Sequence, residues 1–328
     1  MVSELCLDED GVLFHTRKGK AVEVAPPPVP LADTHGHLTS LRSEDAARAV
    51  ARAALAGVRL LVVPVDPADD VEDVGAFLDW FDRVLEGARD ELERCAEAGV
   101  TPPAFEGAGV PDLTDNVHIV AGVHPYGAER FAEDEAVRAR LEQLLANPLC
   151  VGVGEFGIDF GPWSKLGADV QLACYREHLA IAREAELPVE LHLRDGADDT
   201  RAHDLALEVL REVGVPEAGC DLHCYTSGPE VLAPFSELGC YAAFGGAATF
   251  PKSEDIRAAA LACPAHLILT ETDSPYMTPH PLRGQRAEPA MVQVTAARLA
   301  DHLEECAGVP REESYGRFWK NACTFFGL

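Results

Sequence analysis

Two histidines separated by one residue, in Asp33-Thr34-His35-Gly36-His37, begin a series of reactive side chains that runs the length of the chain. Alternate side chains of an extended backbone share a side, so both imidazoles face the same way. Further reactive residues follow at long intervals, each at the end of a short apolar run. They are His124, Glu155, His192, His223 and the triplet Glu271-Thr272-Asp273. Imidazoles mixed with carboxylates suit zinc or manganese and accept magnesium less readily. The expected arrangement is two divalent metal ions. One takes His35, His37, Glu155 and Asp273; the other takes His192 and His223 and shares Glu155 as a bridge. Such a pair clamps a scissile ester and activates water at neutral pH. Brought together without cations, these groups leave charge poorly compensated.

Taken singly, each residue has a plainer reading. His124 is as readily a structural group as a functional one. Asp33 is either a loop cap or a partner that orients a histidine ligand. His15, His118, His178, His203, His266, His280 and His302 are read as structural. Cys220 and Cys224 flank His223, which raises a thiolate site, although cysteines at strand ends more commonly serve packing.

The elements that must position these residues alternate. Apolar runs at Leu31–Thr34, Val58–Val65, Val117–Val123, Cys150–Glu155, Pro188–Leu193, Asp221–His223, Cys240–Phe244 and His266–Thr272 read as strands. Helical spacing fills Ser43–Ala56, Asp69–Ala98, Glu133–Leu145, Asp169–Glu186 and Thr200–Val213, and Arg286–Leu328 supplies the last helices. Parallel strands need crossover connections, and eight of them close a barrel. The expected fold is therefore α/β, a single-domain (β/α)₈ TIM barrel over residues 31–328, with an open doubly wound sheet as the alternative. In a barrel the strand ends meet at one rim, where catalytic residues gather. Residues 1–30 read as an N-terminal extension with a short β-hairpin turning at Arg17-Lys18-Gly19-Lys20. Residues 99–116 read as an inserted loop that could reshape one side of the site.

With 27 Lys and Arg against 55 Asp and Glu, the net charge is −28, which disfavours nonspecific duplex binding. It does not exclude phosphoesters, because bound cations invert the local field. The ten cysteines are scattered, no apolar run has membrane length, and the start of the chain lacks the character of a signal peptide. The expectation is a cytoplasmic protein with no membrane association and no stable protein partner.

At the reactive residues the chain resembles the TatD-type DNase family of metal-dependent hydrolases. The pieces are DTHGH at 33–37, GVHP at 122–125, GVGEFGIDF at 152–160, LPVELHLRD at 187–195 and LHCYTSG at 222–228. FGGAATF at 244–250, ETDSPYMTP at 271–279 and EPAMV at 288–292 complete the series. The resemblance implies a TIM barrel with a metal centre acting on phosphoester bonds, typically those of DNA. It implies His35, His37, Glu155, His192, His223 and Asp273 as ligands, with Asp273 also the base for the attacking water. It sets His124 and Arg194 near the phosphate, and Arg283 and Arg286 near the nucleic-acid backbone. Ala287 departs from the family pattern, which commonly has Asn before Glu-Pro.

The expected function is a metal-dependent deoxyribonuclease of the 3′-end exonuclease kind, taking DNA strand ends. The alternatives are an amidohydrolase-like enzyme cleaving a C–N or carboxyl ester bond, and a phosphatase on a small phosphate ester. Glu155 stands where many amidohydrolases carry a carboxylated lysine, which disfavours the C–N reading. A barrel that has lost catalysis and only binds is the non-enzymatic alternative; the full ligand set argues against it.

Overall fold

The computed structural model describes residues 6–7, 10–41, 43–105, 109–197 and 199–328. The apolar runs form eight strands: β1 (Leu31–Asp33), β2 (Val58–Val65), β3 (Val117–Ala121), β4 (Cys150–Asp159), β5 (Val189–Arg194), β6 (Cys220–Leu222), β7 (Tyr241–Phe244) and β8 (Ile268–Thr270). They pair in chain order, each parallel to the next. β8 then returns to β1. The Thr34 amide donates to Thr270 O at 3.1 Å, the Asp273 amide donates to His35 O at 2.8 Å, and Gly36 bridges Ser274. Ordered pairing with return to the start makes the expected (β/α)₈ barrel and excludes the open sheet.

The helices are α1 (Ser43–Leu55), α2 (Val74–Glu97), α3 (Ala128–Glu133), α4 (Glu135–Leu145), α5 (Ala168–Glu184), α6 (Arg201–Val213), α7 (Pro229–Glu237), α8 (Glu254–Ala262), α9 (Val292–Ala307) and α10 (Arg311–Phe326). α2 shows how the sequence makes them. Asp73 caps its start by accepting from the Ala76 amide at 2.8 Å, and Val74, Phe77, Phe81, Val84, Leu85 and Ala88 repeat at helical spacing on its buried face. Phe325 and Phe326 of α10 pack with strand residues Ala32, Leu60, Val62, Val120, Val151, Ala243 and Leu269. Asn321 donates to Ala265 O and Ile268 O, so α10 covers the end of the barrel opposite the rim. No helix among the described residues is long and apolar enough to cross a membrane.

Two expectations need adjusting. The hairpin is a single antiparallel bridge, His15 with Ala21, flanked by Val22 N–H to Phe14 O at 2.8 Å. Gly19 makes its turn with φ +74, a conformation costly to residues bearing a Cβ. Beyond the bridge the chain packs on the barrel's helices: Arg52 of α1 donates to the carbonyls of Cys6 and Leu13, and Gln293 of α9 donates to Ala25 O. Residues 1–5 and 8–9 of this extension lie outside the described residues.

The inserted loop is not beside the site. It connects α2 to β3, and such connections lie at the N-terminal ends of barrel strands. Arg59, at the start of β2, donates to Pro103 O at 2.7 Å and lies over the Phe105 ring at 5.2 Å. The segment therefore braces the end of the barrel away from the rim; residues 106–108 lie outside the described residues.

Candidate metal centre

Strand ends place the expected ligands around one carboxylate. Glu155 Oε2 lies 2.8 Å from His223 Nε2, 3.4 Å from His192 Nδ1 and 3.7 Å from His35 Nε2. Its Oε1 lies 3.9 Å from His37 Nε2 and 3.9 Å from His124 Nε2. Asp273 Oδ1 stands 3.5 Å from His37 Nε2. All six expected ligands thus share one space, and His124 joins them.

Ring nitrogens face one another across that space. His35 Nε2 is 3.3 Å from His37 Nε2, and His192 Nδ1 is 3.4 Å from His223 Nε2. Lone pairs converging in this way fit a cation. Among the described residues, three donor groups are compact enough to hold one: His35-Glu155-His223, His35-His37-Asp273 and His124-Asp159-His192. The last contains Asp159, which the sequence reading missed because it ended β4 at Glu155. β4 runs four residues further and brings Asp159 to the rim.

Outer carboxylates decide which nitrogen faces the site. Glu190 Oε2 is 3.0 Å from His35 Nδ1, which leaves Nε2 turned to Glu155. Asp159 Oδ2 is 3.0 Å from His192 Nε2, which leaves Nδ1 turned to Glu155, and the Tyr126 hydroxyl donates to the same oxygen at 3.1 Å. Glu271 Oε2 stands 3.8 Å from His223 Nδ1. Asp33 accepts from the Thr272 amide at 2.8 Å and the Thr272 hydroxyl at 2.7 Å, so it acts as a cap tying β1 to β8. On β5, a period of two sets Glu190 beneath His192, and Asp221 stands in the same relation to His223. Gly154 makes room for Glu190, since a Cβ there would meet the glutamate Cβ at 2.7 Å.

The electrostatics describe an acidic well. Burial pushes Asp33 up to about 8, and burial together with neighbouring carboxyls holds Glu190 and Glu271 well above the usual range. Burial also raises Asp221 strongly. Glu155 behaves oppositely: burial would raise it, but His223 and the hydrogen bonds of His192 and His223 hold it well below that range. His192 is raised to about 9, the bonds to Asp159 and Glu155 outweighing burial, whereas burial and His192 lower His124 to about 3. Buried acids crowded beneath a histidine cluster need nearby positive charge in order to ionise, which a divalent cation supplies.

The remaining expected residues lie further out. The Arg194 guanidinium sits 4.8 Å from the centre of the Trp163 ring, and that of Arg283 sits 4.0 Å from the centre of Phe250. Arg286 donates to Ser40 O at 2.7 Å. None of the three joins the contacts that knit the histidines together. Cys220 and Cys224 belong to no donor group among the described residues, and burial holds both thiols well above their usual range. His178 is a core group: Nε2 accepts from the Val123 amide at 3.1 Å, and Nδ1 faces Cys174 O at 2.9 Å.

The sequence profile of the TatD related DNase family matches residues 32–327. An uncharacterized metal-dependent hydrolase, YabD of Bacillus subtilis, is 31% identical over 240 residues, covering 71% of this chain and 91% of its own. A protein of Edwardsiella piscicida named 3′-5′ ssDNA/RNA exonuclease TatD is 31% identical over 224 residues, covering 64% and 83%. The solved structure of the TatD homologue YJJV from Escherichia coli superposes with a TM-score of 0.67 at 25% identity, covering 91% of this chain and 98% of that one. The chain belongs to the TatD related DNase family and is a metal-dependent hydrolase.

Proposed function

We propose that this chain is a phosphodiesterase that removes nucleotides from the 3′ ends of single-stranded or frayed DNA, using two divalent metal ions. The observation that carries the reading is Glu155, whose two oxygens stand within 3.9 Å of five imidazoles. His35, His37, Glu155 and Asp273 would hold one ion, and Glu155, His192 and His223 the other; zinc and manganese suit these donors, and magnesium is accepted less readily. When bound, the ions supply Lewis-acid polarisation of a phosphoryl oxygen and acidify the attacking water.

The chain's own groups do the rest. Asp273 takes the proton of the attacking water. Its backbone holds φ +52, a left-handed conformation in which the hydrogen bond to His35 O keeps it. Glu190 and Asp159 orient His35 and His192. His124, beside Glu155, and Arg194 serve the phosphate, Arg194 offering a fork to its oxygens, and Arg283 serves the nucleic-acid backbone further out. A strand end enters a barrel mouth that a duplex does not. The ten unpaired cysteines accord with a cytoplasmic setting, and residues 1–30 are read as an appendage to the catalytic barrel.

A small phosphate ester is the second reading, favoured by the net charge of −28, which repels long polyanions. Against the C–N alternative, Lys18, Lys20, Lys165, Lys252 and Lys320 all lie outside the strands, so no lysine is placed to bridge.

Chelation should abolish hydrolysis, and manganese, magnesium or zinc should restore it. Metal at a hundredfold excess over its Kd should also stabilise the fold by about 2.7 kcal/mol, read as a rise in Tm. An unchanged Tm together with chelator-resistant turnover would remove the metal centre from the account. Glu190→Gln and Asp159→Asn should each weaken metal binding about 10- to 100-fold by titration calorimetry. Wild-type affinity in both would show that these carboxylates do not orient the ligands.

A further inference from the structure

Six large apolar side chains stand exposed among the described residues, and three are aromatic: Tyr126 at 41%, Trp163 at 65% and Tyr276 at 58%. The other three are Val213, Leu261 and Leu328, on outer helices or at the C-terminal residue. The aromatic three all follow strand ends on the catalytic rim, after β3, β4 and β8. Rings of this size ordinarily bury most of their surface, so their confinement to one rim calls for an occupant.

Two of the rings touch the histidine cluster, and the third is held by Arg194. Tyr126 lies edge-on to His124, with ring centres 4.4 Å apart, and its hydroxyl donates to Asp159. Tyr276 stands edge-on to His37 at 6.0 Å. The Arg194 guanidinium covers part of Trp163 at 4.8 Å. The turns beneath them are fixed: the Tyr126 amide donates to His124 Nδ1 at 3.2 Å, the Tyr276 amide to Asp273 O at 2.8 Å, and Ser164 N–H closes the Trp163 turn on Gly161 O at 3.1 Å. The rings are therefore presented on held backbone.

Electrostatics supplies the reason for such a device. A chain carrying −28 gains little from long-range attraction to phosphates. Stacking a base on an aromatic face needs no net positive charge and tolerates any base. We propose that Tyr126, Trp163 and Tyr276 form a stacking collar that holds the terminal bases of a single nucleic-acid strand while its end phosphodiester reaches the histidine cluster. This rests on the phosphodiesterase reading above and adds that affinity comes from bases more than from phosphates. The collar excludes duplex ends, whose bases are already stacked, until they fray.

The test compares a single-stranded oligonucleotide with one whose last three 3′ residues are abasic, metal-loaded protein being used for hydrolysis and metal-free protein for binding. KM is read from hydrolysis and Kd from fluorescence anisotropy on the metal-free protein. Removal of the bases should raise both about fivefold or more, the lower end of what stacking a single base contributes. In Trp163→Ala the ratio between the two substrates should shrink towards one, and Trp163→Phe should restore part of it. Equal KM and Kd for both oligonucleotides in the wild type would overturn the collar and leave the phosphodiesterase standing. Base-dependent binding without any cleavage would support the collar and overturn the phosphodiesterase. Failure to bind or cleave either oligonucleotide would overturn both.

Discussion

Glu155→Ala should lower metal-restored hydrolysis by about a thousandfold or more, while the circular dichroism of the barrel stays unchanged. The size follows from the position of the carboxylate. Among the described residues it is the one carboxylate within 3.9 Å of His35, His37, His124, His192 and His223 alike, and removing it takes a donor from both proposed ions at once. Loss of several kcal/mol of charge stabilisation in the transition state corresponds to at least three decades in rate. Metal stoichiometry should fall along with the rate. Turnover within tenfold of wild type, with metal content intact, would mean that Glu155 is not the shared ligand.

Asp273→Asn should separate chemistry from binding. The amide keeps an oxygen donor but cannot accept a proton, so kcat should drop about 10²- to 10⁴-fold, the usual contribution of a general base. KM and metal affinity should move far less. Its neighbour His37 is raised above its ordinary value, because the hydrogen bond to Asp273 and the charges of Glu155 and Asp273 outweigh burial. If kcat is unaffected while metal affinity collapses, Asp273 is a ligand and not the base.

The catalytic rim was readable in the chain because barrel topology turns a sequence pattern into a place. Any reactive residue at the end of an apolar run arrives at the same rim, so His192 and His223, thirty-one residues apart, end with ring nitrogens 3.4 Å from each other. The outer carboxylates were harder to see. Glu190 and Asp221 sit inside short apolar runs, where a lone acid reads as noise, although their position two residues before a histidine is the available signal. Asp159 was hidden by where β4 ends: Phe156-Gly157-Ile158 continues the strand through glycines that ordinarily interrupt one. The misplacement of the 99–116 loop had a different origin. It was expected to reshape one side of the site, but its place between a helix and the following strand assigns it to the opposite end, and Arg59 anchors it there. Apolar patterning says nothing about which aromatic side chains stay exposed, so the collar came only from the folded arrangement.

The most direct test of the central claim is the hydrolysis of a 3′-ended single-stranded oligonucleotide by metal-stripped protein, before and after adding manganese, magnesium or zinc. The account predicts no cleavage without metal and, with it, progressive shortening from the 3′ end that disappears in Glu155→Ala and Asp273→Asn. Metal-restored turnover of a small phosphate ester or an N-acyl amide, with the oligonucleotide left intact, would contradict the nucleic-acid assignment.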